Sequence, residues 1–236
     1  MSAVLGLVVG LVIGFVFANS VNRSSVEKAG TSPAVPASAS TATGGNPALP
    51  PDHPPLGTSN GAEVSTAPTG PQPQVLEAIE KAKKQPQDFE AQMTAADLYY
   101  QIQRFEDAAK YYEVAAKLKP SDSEPLVKAG NAYFDGDKYE QAEKWYLLAL
   151  EKEPKNVNVR TDLGLTFFLR TPREIDRAIK EYKASLAISP EHEVTLQNLA
   201  LAYIENGNKE DLRSTIEKLK KINPSNPAVK KGEGSL

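Results

Sequence analysis

The chain has 236 residues, 40% of them hydrophobic and 24% charged, with a formal net charge of −3. It contains no cysteine and two histidines, which excludes disulfide frameworks, thiolate metal sites and cysteine nucleophiles. A pI near 5.6 also argues against binding a phosphate backbone, which needs a basic face, so nucleic acid is not an expected partner.

From Ala3 to Ala18 the sequence AVLGLVVGLVIGFVFA carries no polar side chain. A helix of that length rises roughly 24 Å against a hydrocarbon core of roughly 30 Å, short but workable with Asn19, Ser20 and Val21 at the interface. Residues 1–21 read as a single transmembrane anchor. A cleaved signal peptide is the competing reading, because Val16 and Ala18 suit a small-residue cleavage site, but it lacks a Lys/Arg n-region. Gly6, Gly10 and Gly14 recur every four residues on one helix face, where a second helix can approach closely and form a homodimer. Arg23 and Lys28 follow the stretch and no Lys or Arg precedes it. That leans toward a cytoplasmic C-terminal part; with Glu27 between the two cations it does not decide the side.

Residues 22–74 form the next compositional block. Ten prolines and six glycines fall within 30–74, with almost no charge, so the block cannot bury enough apolar surface to offset chain entropy and is expected to be a disordered linker. About fifty flexible residues give an end-to-end distance of roughly 40 Å, lengthened by proline. Its densest part, Leu49 to Leu56 around His53, offers a polyproline docking motif for an aromatic groove; a plain spacer is the simpler reading.

From Val75 onward the composition changes and a period emerges. Pro86, Pro120, Pro154, Pro190 and Pro224 are 34, 34, 36 and 34 residues apart, the length of one helix pair. Small residues recur at Ala96, Gly130, Gly164 and Ala200, followed three positions later by Tyr99, Tyr133, Phe167 and Tyr203. A second register runs through Ala108, Ala142 and Ala178, then Tyr112, Tyr146 and Tyr182, then Ala115, Ala149 and Ser185. Spacings of three and four place each set on one helix face.

On these residues the chain resembles the tetratricopeptide repeat family, best in Leu126…Ala129-Gly130…Tyr133…Ala142…Tyr146…Pro154. The resemblance implies an all-α, right-handed solenoid of antiparallel helix pairs. It divides the soluble part into a leading half-repeat helix at 75–87, four repeats over 88–224 and a frayed tail at 225–236. Two extra residues lie in the third repeat, so Arg170-Thr-Pro-Arg173 is expected to protrude as a longer turn. In the fourth repeat Leu212, Ile216 and Leu219 replace the Ala, aromatic and Ala of the second helix, as expected of a capping helix.

In this family the first helices line a concave groove. Three rows fall there: Met93, Val127, Thr161 and Gln197; Asp97, Asn131, Leu165 and Leu201; Tyr100, Phe134, Phe168 and Ile204. The groove is expected to be polar or acidic at the first repeat and apolar beyond it, an exposed patch suited to a protein or peptide client; the competing reading is that tight superhelical curvature packs these side chains against each other, or that the linker or C-terminal tail fills the groove. A carboxylate clamp of the kind some family members use does not fit Met93, Asp97, Asn131, Asn158 and Asp162, since two acids repel a terminal anion.

Nothing in the sequence points to catalysis or a cofactor. Neither a phosphate-cradling glycine loop nor a zinc spacing is present. His192 reads as an exposed turn residue beside two acids, and Trp145 as a packing residue among Ala142, Tyr146 and Ala149. The leading expectation is a non-enzymatic, membrane-tethered scaffold. Two alternatives stand beside it: an accessory subunit resembling those of cytochrome c maturation, which present apoprotein segments, and an element that self-assembles without a client.

Overall fold

The computed structural model describes residues 73–236; the expected anchor at 1–21, its Gly6/Gly10/Gly14 face and the linker up to residue 72 lie outside them. The described residues form ten helices: α1 (Pro73–Lys84), α2 (Phe89–Gln101), α3 (Phe105–Leu118), α4 (Glu124–Asp135), α5 (Tyr139–Lys152), α6 (Val157–Leu169), α7 (Ile175–Ile188), α8 (Glu193–Asn206), α9 (Lys209–Ile222) and α10 (Pro227–Glu233). Each helix packs on the next. Among the described residues no helix is long and apolar enough to cross a membrane.

Local chemistry sets the boundaries. Asp88, Asn156, Asn208 and Asn226 precede α2, α6, α9 and α10, and each side chain accepts a hydrogen bond from a backbone N–H of the first turn, satisfying donors the helix cannot. Within each repeat the turn is closed the same way. The N–H groups of Arg104, Lys138 and Asn208 donate to the carbonyls of Tyr99, Tyr133 and Tyr203 at 2.9, 2.8 and 3.1 Å. One residue before each of these donors the chain takes positive φ, at Gln103 (59°), Asp137 (57°) and Gly207 (74°). In the third repeat the equivalent bond, Glu174 N–H to Phe167 O at 2.9 Å, survives the two-residue insertion.

The period-34 small residues are sites of close approach. A Cβ added at Gly130 would stand 2.6 Å from the Tyr146 ring, and one at Gly164 2.5 Å from that of Tyr182. Tyr146, Tyr182 and Phe167 are among the largest fully buried side chains.

Three expectations about the ends and the insertion need correction. Helix α1 begins at Pro73, two residues before the expected Val75, because proline suits a first helical turn. Its Val75, Ile79 and Ala82 are buried, while Lys81, where the next three repeats carry Ala115, Ala149 and Ser185, is exposed. The residues 225–236 do not fray. Pro227 starts α10, which packs on α8 and α9; Ala228, Val229 and Gly232 are buried, and a Cβ on Gly232 would meet Ile216 at 2.4 Å. Small residues let one short helix sit where a longer apolar one was missing, so α9 is covered and is not the outermost cap. Asn226 donates to Glu193 and Gln197 of α8 at 2.8 and 3.0 Å, locking α10 in place.

Nor does the whole insertion protrude. Residues 171–173 are exposed, but Arg170 is buried. Arg170 and Arg177 each bridge Glu143 and Glu174, closing a ring of four charges. Both guanidinium groups lie over Phe167, at 4.8 and 3.8 Å from its centroid. Paired and hydrogen-bonded charges of this kind tolerate burial that a lone Arg170 would not.

Candidate functional site

The first helices α2, α4, α6 and α8 carry the twelve residues expected to line the groove. Eight are buried: Met93, Asn131, Phe134, Thr161, Leu165, Phe168, Gln197 and Leu201. Asp97, Tyr100, Val127 and Ile204 are half-buried. Among the described residues these positions do not form the expected exposed apolar channel. Phe134, Leu165, Phe168 and Leu201 belong to the core cluster that runs from repeat two to α10.

At repeats three and four the cause is contact between first helices, since α6 and α8 touch directly. Thr161 Oγ1 lies 2.6 Å from Thr195 Oγ1 and 3.0 Å from Ser185 Oγ, a buried hydroxyl cluster tying α6, α7 and α8 together. His192, expected to be exposed, is half-buried at the end of this cluster, its Nδ1 2.6 Å from Thr195 Oγ1. Phe134 packs edge-on to Tyr139 at 5.5 Å, and the Arg173 guanidinium covers Phe168 at 5.3 Å.

In repeats one and two the residue after the small position has a second use that the sequence did not disclose. Tyr112 OH donates to Asp97 Oδ1 at 2.5 Å, and Tyr146 OH to Asn131 Oδ1 at 2.9 Å. In the third repeat that position is Leu165, and the buried Tyr182 hydroxyl has no hydrogen-bond partner among the described residues. Burial, with Asp162 nearby, pushes the Tyr182 phenol well above its ordinary pKa.

Apart from the half-buried Val127 and Ile204, what remains accessible on this face is polar and lies at repeats one and two. Asp97 pairs with Lys128 at 2.9 Å, and Lys128 with Glu124 at 3.3 Å. Burial opposes the Lys128 charge, but Asp97 and Glu124 outweigh it and hold the ammonium above its usual pKa. Asp97 and Glu124 keep 41% and 60% of their side chains exposed. Tyr100 OH donates to Asp135 Oδ2. Burial, then the neighbouring Asp137, pushes the Asp135 carboxyl well above the ordinary aspartate range. Lys128 and Asp135 stand one position, and Glu124 three positions, from the rows expected to line the groove, so a fixed groove register passed over them.

Trp145 is half-buried against both main core clusters. Among the described residues no group of His, Asp and Glu side chains converges on a metal position.

Three models match the chain: a tetratricopeptide repeat model over 72–123, a TPR repeat model over 130–169 and a further tetratricopeptide repeat model over 172–236. No curated protein matches it in sequence. Solved structures share the fold. A crystal structure of MamA protein is 21% identical, with 64% of this chain and 81% of that one covered at a TM-score of 0.57. A second MamA crystal structure is 22% identical, covering 68% and 87% at 0.54. MamA 41-end from Desulfovibrio magneticus RS-1 is 14% identical, covering 64% and 84% at 0.57.

Proposed function

Residues 72–236 belong to the tetratricopeptide repeat family, and from that premise we propose that the chain is a protein–protein interaction scaffold held at a membrane by residues 3–18. The linker sets its reach. The observation that carries the reading is the contrast along the concave face. Most of its apolar positions are consumed by packing between repeats, with Val127 and Ile204 half-buried, while Asp97 and Glu124 stay accessible and Lys128 and Tyr100 partly so at repeats one and two. A surface with two acids flanking one lysine suits a polar client segment that brings a cation or hydrogen-bond donors, and does not suit the greasy peptide expected from sequence.

A photo-crosslinking residue at Tyr100, in cells, identifies the client. Asp97→Lys combined with Glu124→Lys then abolishes its capture while helical content stays at the wild-type level. Retained capture by that variant refutes the concave-face assignment. Protease accessibility in intact and permeabilised cells decides the side of the membrane. Release of the chain by salt or carbonate refutes the tether.

A further inference from the structure

The two ends of the solenoid are both polar, but in different ways. A terminal helix needs only a solvated outer face, which charges of either sign supply. Helix α1 follows that rule, with Glu77, Glu80, Lys81, Lys83 and Lys84 exposed. At the other end α9 and α10 carry Glu210, Asp211, Glu217 and Glu233, but lysine dominates from the last turns of α9 into α10. From Lys218 to Gly232 there are five lysines, Lys218, Lys220, Lys221, Lys230 and Lys231, and no acid, and all five are exposed. Lys220 replaces the residue that is Ala82, Ala116 and Leu150 in earlier repeats, each of them buried. The nearest acids in sequence are Glu217 and Glu233. Glu233 pairs with Lys220 at 2.7 Å on a side chain 57% exposed, so solvent weakens that pair. Ile222, among the few exposed large apolar residues, sits inside the lysine run. The chain as a whole is acidic, which makes the sign of this end a local specialisation.

We infer that the α9–α10 end is a docking surface for an anionic lipid bilayer, with Ile222 set at the level of the headgroups. The inference rests on the tether reading, because a domain linked to residues 3–18 meets the bilayer at high effective concentration. Geometry permits it: at 8–10 Å between neighbouring helix axes, ten helices in line span less than about 100 Å. Some fifty linker residues reach roughly 170 Å when fully extended. The far end of the solenoid can therefore return to the membrane that anchors the near end. Lysines near an anionic surface strengthen such docking roughly five-fold each, and salt removes the effect.

The test uses the full chain, which has no native cysteine, with Ser225→Cys in the exposed α9–α10 turn carrying an environment-sensitive dye. It is reconstituted into vesicles of phosphatidylcholine alone or mixed with phosphatidylglycerol, and flotation with the phosphatidylcholine vesicles at high salt reports the tether independently of the lysine surface. The expected result is a blue shift on anionic vesicles only, lost at high salt and in Lys218→Glu/Lys221→Glu/Lys230→Glu. An equal shift on neutral vesicles, or one that persists in the triple variant, overturns the inference. So does a shift on neutral vesicles that grows with chain density, which would mean a second copy's acidic face. Should the chain fail to float, the tether reading falls; dye response on adding it to preformed anionic vesicles then decides the lysine surface alone, and silence there overturns it.

Discussion

Tyr146→Phe and Tyr182→Phe remove the same atom from equivalent, fully buried positions, yet the structure requires opposite outcomes. The ring stays, so neither change opens a cavity. At Tyr146 the lost hydroxyl donates to Asn131 Oδ1 at 2.9 Å, and its removal strands a buried acceptor. That costs about 1–3 kcal/mol. At Tyr182 no partner exists among the described residues, because Leu165 stands where Asn131 does. Deleting a buried, unpaired hydroxyl relieves its desolvation penalty, worth about 1–2 kcal/mol on the protein scale. For a domain of this size the melting temperature moves about 2–4 °C per kcal/mol. Tyr146→Phe is therefore expected to lower it by at least about 2 °C, and Tyr182→Phe to raise it by about 2–8 °C. Far-UV circular dichroism melts, with urea titrations followed by Trp145 fluorescence, read both. Equal destabilisation by the two variants would show that Tyr182 has a partner and that the Leu165 explanation is wrong.

Leu165→Glu places a carboxylate at a site 1% exposed and should cost upward of about 3 kcal/mol, seen as a collapsed thermal transition; wild-type stability would put the side chain in an open groove after all. Gln103→Gly removes a non-glycine residue from φ 59° and should stabilise by about 1 kcal/mol, measurable as a raised urea midpoint, whereas a loss would mean the side chain contributes packing. The raised Asp135 pKa means the folded state holds its proton more tightly than the unfolded chain. Its contribution is thus favourable at low pH and is lost as pH rises above the ordinary aspartate value and through the folded one. Asp135→Asn should be more stable than wild type at neutral pH, with the advantage vanishing near pH ~4; a difference independent of pH would contradict the shift.

The helix pairs could be read from the sequence because proline spacing and the Gly130/Tyr146 type of contact recur with the repeat and depend only on neighbours within it. The accessible face could not. Leu165 and Leu201 occupy positions that look outward within a single repeat, and whether they meet solvent depends on how closely α6 and α8 stack. Thr161 and Thr195, which draw those helices together, look unremarkable in sequence. Helix α10 escaped for a related reason: its apolar content is low, and only the contact of Gly232 with Ile216 explains why so short a segment stays docked.

The hydrogen bond from Glu174 to Phe167 spans a gap two residues longer than its counterparts, yet α7 takes the same seat on α6. Of the residues between those two anchoring atoms, Phe168, Arg170 and Arg173 stay tied to the stack, Arg170 through Glu143 and Arg173 through Phe168 and Glu205, which leaves the exposed Thr171–Pro172 step to vary. That step, Thr171–Pro172, is thus a natural splice point, where a tag, an epitope or a whole small domain can be grafted without altering the pitch of the superhelix.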